Sequence, residues 1–205
     1  MRLGIDFGTT HTVVAFVDRG NYPVVSFEGG DFVPSLVAMR ETTGELRWGW
    51  DAAAVRHTSG WTVLPSLKRL LNDAGPRTEI GIGERRVAAS SLLAGFFSAL
   101  HRTLVAASNS GIAANDVLTA AVSVPANAST AQRFLTLEAF KAGGFAVAGL
   151  LNEPSAAGFE YAHRFRRDAR REHLVVYDLG GGTFDASLLR MTGKTNEVAI
   201  TLEGE

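Results

Sequence analysis

The 205-residue chain contains no cysteine, which removes disulfides, thiolate nucleophiles and Cys-ligated zinc and fits a reducing compartment. Nor does it hold any apolar run near the roughly 20 residues a membrane-spanning helix needs. No basic segment followed by an apolar stretch precedes the first strand-like residues after Met1-Arg2, so no secretory signal is read and a cytoplasmic location is expected. A net charge of −1 lacks the excess of either sign that would draw the chain to nucleic acid or a membrane surface, and neither is expected as a partner. Its five histidines have no paired spacing, so no zinc site is expected. Asn127-Ala128-Ser129 has the form of a glycosylation sequon but is incidental without a secretory route.

What remains is the composition of an ordinary globular protein, 46% hydrophobic and 20% charged, able to build a sizeable core. Residues 2–18 read as a β-hairpin turning at Gly8, followed by strand candidates at Pro23–Phe27 and Leu36–Met39 and a short helix Asp51–His57 with Asp51 as its N-cap. Apolar residues at 92, 93, 96, 97, 100 and 104 repeat at helical spacing and predict a helix from Val87 to about Ala107. Leu118–Val124 is apolar at nearly every position and reads as a strand at a sheet centre, ended by Pro125. Ser129 and Gln132 have the spacing of a capping box for a helix that presents Phe134, Leu137 and Phe140 to the core and stops at Gly143-Gly144. A strand Phe145–Leu151 leads to Asn152-Glu153-Pro154 and a further helix. A second hairpin spans residues 174–189, and Val198–Leu202 reads as a strand whose partner is missing. Strands alternating with helices predict a mixed α/β fold.

One phrase occurs twice. Ile5-Asp6-Phe7-Gly8-Thr9-Thr10 and Tyr177-Asp178-Leu179-Gly180-Gly181-Gly182-Thr183 each place a carboxylate at the end of a strand, a glycine turn with threonine, and a second apolar run. Successive backbone N–H groups in such a turn form an anion-binding concavity. Glycine permits close approach of phosphate and tolerates positive φ. The threonines add hydroxyl donors, and Asp6 and Asp178 would hold Mg²⁺ through its water shell. Two such turns facing each other could grip a metal-bound polyphosphate. Glu153, between a strand end and a Pro-started helix, suits either stabilisation of the helix N-terminus or the ordering of an attacking water. Lys68 reads either as a surface lysine or as a cation that stabilises charge on a transferred phosphoryl group. Gly193-Lys194-Thr195 imitates the end of a Walker A loop, but Leu188 stands where that motif needs glycine, and Ser35 sits in no nucleophile-elbow context.

The first phrase resembles the first phosphate loop of the actin, sugar-kinase and heat-shock ATPase superfamily, and the second, continued by Phe184-Asp185, resembles its second. The segments between them resemble the seventy-kilodalton heat-shock chaperone family of the DnaK type: Phe32-Val33-Pro34-Ser35, Gly49-Trp50-Asp51-Ala52, Lys68-Arg69-Leu70, Val122-Ser123-Val124-Pro125-Ala126, Ala131-Gln132-Arg133 and Leu151-Asn152-Glu153-Pro154-Ser155. The resemblance implies an actin-like (ribonuclease H-like) α/β fold, a mixed sheet flanked by helices. It further implies an ATPase module that binds ATP or ADP with Mg²⁺. In that module Asp6 and Asp178 would organise the metal. Gly8, Thr9, Thr10, Gly180, Gly181, Gly182 and Thr183 would hold the phosphates, with Lys68 near the γ-phosphate. Glu153 and Asp185 would order water or a monovalent cation such as K⁺, and Pro125 and Arg133 would relay nucleotide state to a substrate domain. Clients would be unfolded polypeptides, bound by a C-terminal domain that the chain does not include.

Two departures stand out. Residues 126–131 replace the family's aromatic-Asn-Asp pattern, and Gly149 stands where an arginine used in co-chaperone contact is usual, which puts that coupling in doubt. The resemblance also implies a nucleotide-binding domain nearly twice as long. The chain therefore reads as a truncated domain: a core subdomain of the first lobe (1–34 with 112–171), an inserted peripheral subdomain (35–111) and the start of a second lobe (172–205), inactive as an ATPase by itself. A filament-forming actin or cell-shape relative and a sugar or acetate kinase remain as alternatives. Lys68-Arg69-Leu70 and the Val-Pro-Ala…Gln-Arg run argue against the first. The second needs a general base that no acid here evidently supplies.

Overall fold

The structure is a computed structural model and describes residues 1–72, 74–165, 172–182, 184–194 and 197–204. Its elements are β1 (Arg2–Phe7), β2 (His11–Phe16), β3 (Val33–Pro34), β4 (Val37–Arg40), β5 (Leu46–Trp48), α1 (Gly49–Ala54), β6 (Trp61–Leu64), a 3₁₀ turn (Lys68–Leu71), β7 (Glu79–Ile82), β8 (Arg85–Ala88), α2 (Ala89–Ala106), β9 (Thr119–Val124), α3 (Thr130–Ala142), β10 (Ala146–Asn152), α4 (Glu153–Phe165), β11 (Glu172–Leu179), β12 (Phe184–Lys194) and β13 (Glu197–Gly204). They fall into two compact units, one of residues 1–122 with 129–150 and one of residues 123–128 with 151–205.

The first unit is organised by a five-stranded sheet in the order β10-β9-β1-β2-β3. β1 pairs antiparallel with β2 and parallel with β9, so the sheet is mixed, as the resemblance implied. Along β1 burial alternates strictly: Leu3, Ile5 and Phe7 are buried, while Arg2, Gly4 and Asp6 are exposed. β9 alternates too, between buried and half-buried positions, so only one of its faces is a true core face. Against that core face lies α2, whose Phe96 and Phe97 rings sit 5.7 and 5.0 Å from Phe7. Phe97 in turn stacks on Phe140 of α3 at 3.7 Å, and Phe140 meets Phe145 at 5.6 Å. The close approach of α3 to α2 depends on Gly143, where an added Cβ would lie 2.5 Å from Phe97 Cβ. The capping box at Ser129 and Gln132 is formed in both directions.

Smaller sheets complete this unit: β5-β4-β6, and the hairpin β7–β8. The hairpin turns at Gly83, which has φ +58. It occupies residues the helical pattern claimed, so α2 begins at Ala89 rather than Val87. Pro23–Phe27 forms isolated bridges, not a strand. α1 starts at Gly49 with Trp48 at its N-cap, which makes no side-chain cap bond; Asp51 stands instead in the first turn, where a carboxylate still meets the helix dipole favourably. On α3 the buried residues are Leu135, Thr136, Ala139 and Phe140, while Phe134 is exposed. The expected face was therefore rotated by about one residue, because Phe140 packs on Phe97 and fixes the helix azimuth.

In the second unit β11, β12 and β13 form an antiparallel sheet in that order, and α4 packs on it. β13 pairs with β12 from Leu188↔Gly204 to Lys194↔Glu197, so the strand thought to lack a partner has one.

Truncating Phe97 removes the ring that joins β1 to α3. Phe97→Ala is expected to cost about 3–5 kcal/mol in urea unfolding of the chain.

Candidate functional site

The two glycine turns lie in different units, and each is described by itself. In the first, the alternation of β1 turns Phe7 inward at 2% exposure and therefore Asp6 outward. At Gly8 the chain leaves the sheet: its N–H donates to the His11 carbonyl at 3.0 Å. A Cβ on Gly8 would lie 2.4 Å from that same oxygen. Gly8 does not have a positive φ, so the turn requires glycine for space and not, as read from sequence, for conformational range. Thr9 and Thr10 follow, both half-buried.

Ser35 ties this turn to the next predicted residue. Its N–H donates to the Thr10 carbonyl at 2.9 Å, and its own carbonyl accepts from Leu67 N–H at 3.0 Å. Its hydroxyl, fully buried, bonds the Thr12 hydroxyl at 2.9 Å. Lys68, the residue after Leu67, opens the 3₁₀ turn. One residue thus links the phosphate-type turn to the segment that carries Lys68. Nothing in the spacing around Ser35 announces this link, which exists only once the fold brings Thr10 and Leu67 to either side of it.

The second turn joins β11 and β12. The register places Asp178 directly opposite Asp185, with Leu179 opposite Phe184 at the strand ends and Gly180, Gly181 and Gly182 beyond them. Thr183 lies outside the described residues. Two carboxylates facing across an antiparallel pair repel each other, and a cation relieves that repulsion. The pair therefore fits the metal ion or monovalent cation expected here. Among the described residues no three or more His, Asp or Glu cluster as direct metal ligands.

Glu153 is the first residue of α4, directly after β10, and Pro154 is buried in the first helical turn. Pro125 follows β9, and Arg133 sits near the start of α3, where its N–H donates to the Ser129 carbonyl at 3.0 Å. Gly149 lies on β10, at the edge of the five-stranded sheet, and an added Cβ there would meet nothing within 4 Å. Space does not explain the missing arginine.

A cavity of about 660 Å³ in the first unit is bounded by Phe27–Gly29, Trp48, Trp50 and one face of α2, including Ala99 and Thr103. None of the predicted site residues lines it.

A model of the Hsp70 protein family matches residues 72–203. The chain belongs to the Hsp70 family. Two curated relatives extend the likeness over 97% of the chain, and so over both glycine turns. One is the chaperone protein dnaK1 of Parasynechococcus marenigrum (strain WH8102), 34% identical, of whose length 32% is covered. Another is the chaperone protein HscA of Serratia proteamaculans (strain 568), 33% identical, with 34% covered. The chain thus spans about a third of the length of these Hsp70-family relatives.

Because a backbone carbonyl fills the space beside Gly8, Gly8→Ala is expected to destabilise the chain by about 1–3 kcal/mol. Gly4→Ala, with nothing within 4 Å of the new methyl, should change the denaturation midpoint little. Equal effects at the two positions would contradict the steric account.

Proposed function

We propose that the chain is the nucleotide-handling part of an ATP-driven chaperone. It would hold Mg-ATP or Mg-ADP between the Gly8–Thr10 turn and the Gly180–Thr183 turn. The observation that carries this reading is the membership in the Hsp70 family across both turns, joined to the opposed Asp178–Asp185 pair beside the second. Asp6 and Asp178 would organise Mg²⁺ and its waters, a hydrated ion that would offset phosphate charge when bound. Backbone N–H groups of the turns, with Thr9, Thr10 and Thr183, would donate to phosphate oxygens. Lys68 would stabilise charge that develops on the γ-phosphoryl group. Glu153 and Asp185 would order the attacking water or a K⁺ ion. Pro125 and Arg133 would carry the nucleotide state toward a client-binding domain.

Support for the Lys68 role comes from Ser35, which ties the lysine's segment to Thr10 through two backbone hydrogen bonds. The backbone from which the lysine side chain starts is thereby held relative to the turn, and transition-state stabilisation benefits from such preorganisation. The division into a core subdomain (1–34 with 112–171), a peripheral subdomain (35–111) and the start of a second lobe (172–205) belongs to the same proposal. So do the cytoplasmic location, unfolded polypeptide clients and altered co-chaperone coupling at Gly149. Among the described residues no helix is long and apolar enough to cross a membrane.

Titration calorimetry with Mg-ATP tests the reading. A chain spanning about a third of its relatives' length is expected to bind more weakly than about 1 µM. That binding should require Mg²⁺ and disappear in Asp178→Asn, and no ATP turnover is expected. Sub-micromolar affinity would refute the incomplete cleft, and binding indifferent to both Mg²⁺ and Asp178→Asn would refute the metal-phosphate clamp.

A further inference from the structure

His11 was weighed only as a zinc ligand and discarded, yet the structure places its imidazole on the first phosphate-type turn. Its Nδ1 lies 2.8 Å from the Thr10 hydroxyl oxygen. The ring is also held from the other direction: it stands perpendicular to Phe32, with centroids 4.1 Å apart, and Phe32 packs on Trp50 at 5.2 Å. The Thr10 backbone is separately pinned by Ser35. Thr10 therefore has a fixed main chain and a hydroxyl bonded to an imidazole nitrogen that cannot swing away without losing its aromatic contact. The imidazole itself is exposed, so its Nε2 can exchange protons with solvent.

We propose that His11 is a positioning residue that sets the direction in which the Thr10 hydroxyl donates; the proposal rests on the phosphate reading of the Gly8–Thr10 turn. A threonine hydroxyl has one hydrogen to give. When the neutral ring carries its proton on Nε2, Nδ1 accepts the Thr10 O–H, and that hydrogen is unavailable to a ligand. When the proton is on Nδ1, the ring donates to Oγ1 and the hydroxyl hydrogen is released toward the turn, where it can donate to a phosphate oxygen. Conversion between the two forms keeps the ring neutral: Nε2 loses a proton to solvent and Nδ1 takes one up. Of the two neutral forms, a polyanion at the turn selects the Nδ1–H form, because that one frees the hydroxyl hydrogen as a donor. The Phe32 contact holds the ring so that this exchange of roles needs no change of rotamer.

The test uses the whole 205-residue chain, ¹⁵N-labelled, and sodium pyrophosphate as the probe. His11 ring nitrogens are assigned by their loss in His11→Asn. Pyrophosphate is expected to move Nδ1 toward the protonated, pyrrole-type shift and Nε2 the opposite way, in step with the Gly8, Thr9 and Thr10 amides. His11→Phe keeps an aromatic partner for Phe32 but cannot bond Thr10, and should weaken pyrophosphate binding about three- to tenfold, the worth of one hydrogen bond. His11→Asn, whose amide can donate to Oγ1, should restore binding to within about twofold of the native chain. If the turn amides respond and His11→Phe binds as tightly as the native chain, or if the ring nitrogens stay still, the His11 proposal is overturned and the phosphate turn stands. If no turn amide responds by about 10 mM pyrophosphate, the phosphate reading of this turn falls and the His11 role with it.

Discussion

The burial of Phe7 is the constraint on which the first site depends. Its ring is locked between Phe96 and Phe97, and Phe97 is stacked on Phe140 in turn. A strand has a side-chain period of two, so locking Phe7 inward obliges Asp6 to face outward and fixes the residue at which the chain departs from the sheet. A slip of one residue would bury the carboxylate and expose the ring, at a cost far beyond what a turn could recover. The glycine that follows is then set by a local matter, the His11 carbonyl that occupies the place of its Cβ. A remote hydrophobic cluster thus determines where a polar turn can form.

From that turn the order is passed along the main chain and not through side chains. Ser35 receives Thr10 and hands on to Leu67, so that the segment opening with Lys68 is placed by two peptide groups. Backbone bonds of this kind are insensitive to the identity of the side chains around them, which suits a geometry that must hold while the surface varies. The second turn uses another device. Leu189 and Ser187 of β12 are buried, and the face they share ends at the opposed Asp178 and Asp185. There the register sets two carboxylates opposite each other at the mouth of the turn, a placement made by backbone pairing and not by packing.

Much of this was legible in the sequence because it is local. The hairpin about Gly8, the capping box of Ser129 and Gln132, and the helix that carries Phe96 and Phe97 each follow from short-range spacing, and each is present. The errors arose where distant contacts decide. The face of α3 is set by Phe97, more than thirty residues away, and the hairpin β7–β8 takes Val87 and Ala88 from the start of the expected helix. α1 starts ahead of its expected cap, at Gly49, whose φ of +59 is a conformation no spacing rule announces. At the two turns, glycines and carboxylates carried a motif that could be read from spacing alone. His11 carried none, and Ser35 stood in a motif that gave it no role: what they touch depends on a neighbour brought close by the fold.

The parallel pairing of β1 with β9 has a consequence in time. About 110 residues separate the end of β1 from the start of β9. At synthesis rates of roughly 5–20 residues per second, the β1–β2 hairpin waits some 5–20 s on the ribosome with one edge open and Ile5 and Phe7 without their core. Over that interval its order rests on one antiparallel pairing and a turn, and the sheet closes only when a late strand docks beside the earliest one. Support for the first turn is thus completed by a long-range pairing and not by local zipping, the class of contact that slows folding.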